Sequence, residues 1–156
     1  MIVLKNVVVA TDLGALSRRT LECGREFARA FGATLHLVHV VDDLAELNRS
    51  TIDSVELGRQ QMALQQRAGA ALEAMLDDDV RAAGARPFVL TSDHPAAAIL
   101  GYARDEHADL IVVGTHGYEG FIDLFLGTVA QQVVRGATCP VLTVRHPKAA
   151  GASAAA

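Results

Sequence analysis

Residues 110–113, Leu-Ile-Val-Val, form a continuous apolar run, the pattern of a parallel strand covered on both faces. Residues 7–10 repeat that pattern and run into Thr11-Asp12, which predicts a first strand. Leu21, Gly24, Ala28 and Phe31 then fall at helical spacing, with Ser17 placed to cap the helix and Gly32 to end it. Residues 34–41 predict a second strand. Residues 52–83 read as one long helical stretch carrying Leu57, Leu64, Ala68, Leu72, Met75 and Leu76, closed by Gly84. Residues 42–51 are a polar connection of no predicted form. A short third strand is expected over residues 88–91. Asp93 is placed to cap the next helix, with Pro95 in its first turn and Ile99, Leu100 and Ala103 facing inward. After strand four comes a helix ending at Arg135-Gly136, and then a fifth strand over residues 140–144.

Strands alternating with helices of this length imply right-handed βαβ crossovers. The expected fold class is therefore α/β, a five-stranded parallel, doubly wound, Rossmann-like sheet with helices on both faces. Such sheets bind ligands beyond the carboxyl ends of the strands, where the strand order reverses.

At 156 residues the chain fits one domain, expected over residues 1–146, followed by an Ala-rich tail at 147–156 that reads as disordered. Hydrophobic content of 51% with 21% charged residues excludes global disorder. No apolar run approaches the roughly 20 residues of a membrane helix, so no membrane partner is expected. The first ten residues lack a basic n-region and lead straight into a strand, which argues against a signal peptide and for the cytoplasm. A net charge of −4 without a Lys/Arg cluster argues against nucleic acid. Cys23 and Cys139 read as buried, reduced thiols. His36 and His39 lie on a strand while His94 and His107 flank a helix, so no metal pair forms and no protein metal site is assigned.

The chemistry concentrates after strand four. Glycines stand at Gly114, Gly117, Gly120 and Gly127, the last followed by Thr128 and the apolar-periodic residues 129–134. Glycines let a backbone approach a ligand closely, and a helix start aims unpaired N–H groups at an anion, so this is phosphate-cradle chemistry. The spacing of Gly114, Gly117 and Gly127-Thr128, a glycine, two residues, a glycine, nine residues and Gly-Thr, resembles the nucleotide-binding branch of the universal stress protein family. Cys139-Pro140-Val141-Leu142 is similar to that family's closing strand.

The resemblance implies strand order 3-2-1-4-5, which would bring Asp12 and Gly114 together at the switch point. It also implies an adenine nucleotide, ATP first, with Asp12 against the adenosine, Ala10 and Thr11 as flanking backbone contacts, and Val40 and Val41 at the adenine edge. The two valines also fit as plain core. The N–H groups of Gly117, Gly127, Thr128 and Val129 are the phosphate candidates. The Thr128 hydroxyl is an added donor or simply a helix cap, and Gly114 and Gly120 shape the backbone. His116 is either a phosphate donor or a solvated loop histidine. Magnesium would arrive on the phosphates.

The chain departs from the family pattern at Asp93, Tyr118 and Asp123. No Lys or Arg lies between Gly114 and Thr128, while Glu119 and Asp123 add negative charge that opposes a triphosphate. The leading function is a cytoplasmic stress-response protein that binds a nucleotide and works as a regulatory module. The alternative is an interaction module whose pocket is vestigial. Catalysis ranks last, at most slow ATP hydrolysis, because no GxxxxGK[ST] phosphate loop is present. The uncharged run Val141 to Val144 reads as an edge strand that pairs with its copy in a homodimer, as the resemblance also implies.

Overall fold

A computed structural model describes residues 1–47, 53–115 and 127–145. His116, Gly117, Tyr118, Glu119, Gly120, Asp123 and the tail from residue 147 lie outside the described residues. The described chain runs β1 (Asn6–Ala10), α1 (Ser17–Phe31), β2 (Thr34–Val41), α2 (Leu44–Leu47), α3 (Ser54–Met75), α4 (Asp78–Ala82), β3 (Arg86–Thr91), α5 (Pro95–Asp105), β4 (Leu110–Gly114), α6 (Thr128–Gly136) and β5 (Val141–Val144).

All five strands are parallel, in the order β3-β2-β1-β4-β5. The central strands are those whose sequence is apolar without alternation, because each of their faces meets a helix layer. Val7 and Val9 pack with Leu21 and Ala28 of α1, Leu72 of α3 and Val80 of α4. Val8 and Ile111 pack on the opposite face with Ala96, Ile99 and Ala103 of α5 and Ala130 and Val133 of α6.

Helix α1 approaches β1 so closely that a Cβ added at Gly24 would lie 2.2 Å from Val9 Cγ2. Its C-terminus is closed by Gly32 at φ 64°, a conformation glycine adopts without steric cost. The start of β1 is held by Asp109, the residue before β4. Its Oδ2 accepts the Lys5 N–H at 2.6 Å and the Asn6 N–H at 3.0 Å, so β1 and β4 start in register.

Cys23 and Cys139, expected to be buried, are only partly buried, and four further details differ from the sequence expectation. The residue preceding α1 is Leu16, and Ser17 is the helix's first residue rather than its cap, its hydroxyl turned toward Asp12. The long helical stretch breaks after Met75, where Leu76 is extended and Asp77 caps α4 by accepting the Val80 N–H at 2.9 Å. Asp93 does not cap α5. His94 holds that position, and its N–H is taken by Ser92 Oγ at 3.0 Å. Phe31 is 43% exposed, since the last turn of α1 extends beyond the apolar layer it covers.

Candidate functional site: a cleft at the tips of β1, β2 and β4

The strand order reverses between β1 and β4, because β2 continues from β1 on one side and β4 from it on the other. Beyond their carboxyl ends opens a cleft of about 440 Å³. Ala10, Thr11 and Asp12 leave β1 into it, Gly114 and Thr115 leave β4 into it, and Gly127 to Val129 border it from the start of α6. Two stretches more than a hundred residues apart in sequence thus share one wall.

Gly127 forms the joint. Its N–H donates to the Thr115 carbonyl at 2.9 Å, and a Cβ on it would stand 3.2 Å from that same oxygen. Its φ of −53° suits any residue, so the demand for glycine is one of close approach. With its own N–H spent, Gly127 leaves Thr128, Val129 and Ala130, whose first-turn amides have no acceptor within the helix. Gly127, at the cap position, has no side chain with which to cap this helix end. These amides and the positive end of the helix dipole border the cleft.

Farther along this wall the β1–α1 turn is fixed by its own hydrogen bonds. Asp12 Oδ1 accepts the Gly14 N–H at 2.8 Å and the Ser17 hydroxyl at 2.6 Å. Thr11 Oγ1 accepts the Leu13 N–H at 3.0 Å, and Leu13 has φ 61°, unusual for a bulky side chain. The Thr11 carbonyl accepts from His39 Nδ1 at 2.8 Å. A carbonyl can only accept, so Nδ1 carries the proton.

Of the residues expected from sequence, Ala10, Thr11, Asp12, Val40, Gly114, Gly127, Thr128 and Val129 line the cleft. Val41 does not. It is buried, and its carbonyl is occupied by the Ser92 N–H at 3.0 Å. His116 and Gly117 lie outside the described residues. Sequence reasoning missed Ser17, Thr20, His39, Pro95 and Ile99, which also line the cleft. Helical spacing places Ser17 and Thr20 on the same side of α1 as Leu21 and Gly24, which is the signal that could have found them. Asp12 is the only Asp, Glu, Lys or Arg among the described lining residues.

Residues 4–145 match the family model described as Universal stress protein family. The chain belongs to that family. A curated universal stress protein of Thermus aquaticus is 35% identical over 143 residues, covering 90% of this chain and 98% of that one. Among solved structures, a universal stress protein in complex with cAMP superposes with a TM-score of 0.67 at 23% identity, covering 92% of this chain and 98% of that one. The Archaeoglobus fulgidus universal stress protein in complex with dAMP gives 0.56 at 23% identity, covering 91% and 98%. The sheet order of this universal stress protein is the one the family resemblance implied.

Proposed function

We propose that this universal stress protein binds an adenine nucleotide in the cleft and acts as a regulatory module in the cytoplasm. The observation that carries this reading is the shared wall formed by the Asp12 turn and the start of α6. An anion is drawn to the amides of Thr128, Val129 and Ala130, and the Asp12 carboxylate suits a hydroxyl donor and repels phosphate. A nucleotide supplies both ends. The complexes of two similar proteins with cAMP and with dAMP support the adenine class.

ATP is the nucleotide that the family resemblance implies, with His116 and Gly117 as further contacts from the connection after β4. Magnesium fits as an ion carried by the phosphates, since it binds mainly through phosphate and water. Among the described residues no group of three or more His, Cys, Asp or Glu gathers to hold an ion. No helix among them is long and apolar enough to cross a membrane.

The second reading is an interaction module with a vestigial pocket. It is favoured by the lack of Lys and Arg among the described lining residues. Calorimetry with ATP, ADP, AMP and adenosine, with and without magnesium, separates the two. Heat of binding with at least one of them, weakened by Asp12→Ala, is the expected result. No heat and no thermal shift at millimolar ligand would establish the interaction module.

The proposed assembly is a homodimer through β5. This strand is one edge of the sheet, and antiparallel pairing with its copy about a two-fold axis would satisfy its outer N–H and C=O groups.

A further inference from the structure

We propose that Ser17 is a positioning residue of the cleft, presetting the Asp12 carboxylate so that only its second oxygen receives a sugar hydroxyl of the ligand. This rests on the nucleotide reading and names the part of the ligand that the turn selects.

Ser17 is 5% exposed and sits on the first turn of α1, yet its hydroxyl leaves the helix to donate to Asp12 Oδ1. Gly14 N–H donates to the same oxygen. Two donors on Oδ1 fix both torsions of the Asp12 side chain. Among the described residues Oδ2 receives no hydrogen bond, and Asp12 lines the cleft. The turn behind it is held at two more points, the Leu13 N–H on Thr11 Oγ1 and the Thr11 carbonyl on His39 Nδ1–H. Leu13 keeps a left-handed backbone inside this frame. A residue stays in so sparsely populated a conformation only where its surroundings over-determine it, and such positions cluster at ligand clamps.

Charge decides what Oδ2 receives. No Lys or Arg stands among the described lining residues, so a carboxylate without a cation beside it repels phosphate and accepts from hydroxyls. The phosphate end of a ligand therefore lies toward α6 and the sugar end toward Asp12. The ligand class is an adenine nucleotide with a free ribose hydroxyl. Without Ser17 the carboxylate still stands in the cleft, but it must be ordered at the moment of binding.

The test measures affinity for AMP, 2′-deoxy-AMP and 3′-deoxy-AMP in wild type, Ser17→Ala and Ser17→Cys, with Asp12→Ala to identify which hydroxyl the carboxylate accepts. Cysteine keeps the volume and replaces a strong donor with a weak one, so it serves if alanine unfolds the turn. Ser17→Ala should weaken AMP about fivefold, the size of one side chain left to be ordered on binding. The deoxynucleotide lacking the accepted hydroxyl should lose less than about twofold, a selectivity that a merely structural role would not produce. Equal losses for all three ligands, or no loss for AMP, would overturn the role of Ser17 while leaving the nucleotide reading intact. Wild type binding none of the three, nor ATP, would overturn that reading and this role with it.

Discussion

His36 and Tyr102 meet at 2.8 Å between the imidazole Nδ1 and the phenol oxygen, beneath α5 on the face of the sheet opposite α1. The other ring nitrogen faces Asn6 Oδ1 at 3.4 Å, an acceptor, so Nε2 carries the proton and Nδ1 accepts from the Tyr102 hydroxyl. Phe88 stacks on His36 at 6.0 Å between ring centroids and tilts against Tyr102 at 4.9 Å. A neutral imidazole satisfies this network and lets the Tyr102 hydroxyl donate, whereas a protonated ring would take the phenol oxygen as its acceptor and displace the phenol proton.

Burial pushes the His36 pKa below its ordinary value, opposed by Glu106 and reinforced by Arg86. The unfolded chain therefore binds the proton more readily. The contribution to stability is complete above the ordinary histidine value of about 6.5 and is lost as pH falls through the lower folded value. Melting temperature should decline from pH 7 toward pH 5. His36→Gln should melt lower at pH 7 but with a flatter acid-side slope, and an unchanged slope would assign the decline to other groups.

Gly24→Ala should destabilise the fold by about 1–3 kcal/mol, the usual cost of overpacking. The added methyl has only the space now filled by Val9 Cγ2, on a strand with helices on both sides. Urea unfolding measures it. A neutral result would mean that α1 can lift from β1 at no cost, which its five buried residues oppose.

Gly127→Val should also damage the site, for a reason other than a blocked phosphate path. Its Cβ would press on the Thr115 carbonyl and break the joint between β4 and α6. A fall in melting temperature without ligand is expected alongside lost binding. Thr128→Ala carries no such strain, and should weaken ATP by no more than about tenfold while leaving adenosine unchanged. Equal weakening of both ligands would place the phosphates elsewhere.

The proposed dimer has a specific probe. The Pro140 and Val144 carbonyls accept from Ile111 and Thr115, so these residues face β4, while alternation turns the N–H of Thr143 to the open edge. Thr143→Pro removes one outward donor and no bond to β4, a place where an edge strand tolerates proline. Light scattering at tens of micromolar should show a dimer for wild type and a monomer for the variant. A dimer unaffected by proline would exclude pairing through β5.

The parts of the fold legible in the sequence are those where one force dominates. Val7 to Val9 and Leu110 to Val113 are apolar at every position because both faces are covered, and their shortness between turn signals suits a strand. The break at Leu76 was hidden because Met75, Leu76 and Val80 keep burying apolar surface across it, so periodicity continues where the backbone does not. Asp77 was the available signal, a cap residue in mid-pattern. At the cleft, Asp12, Gly114 and Gly127 carry a local signature and line it as the sequence suggested. Ser17, Thr20 and His39 were missed, because their role depends on β1, α1 and β2 meeting at one end, which no local spacing encodes.

The position of β1 sets a timetable for the protein's synthesis. Val7 pairs with Leu35 of β2 on one side, but its other partner, Leu110 of β4, is synthesised only after α2 to α5 and β3. Until then the nascent chain carries Val7, Val8 and Val9 with a bare, wholly apolar edge, the kind that captures other strands. The cleft is completed later still, when Gly127 reaches Thr115. A product terminated before β4 therefore lacks both the second partner of β1 and the Thr115 carbonyl on which the cleft is joined.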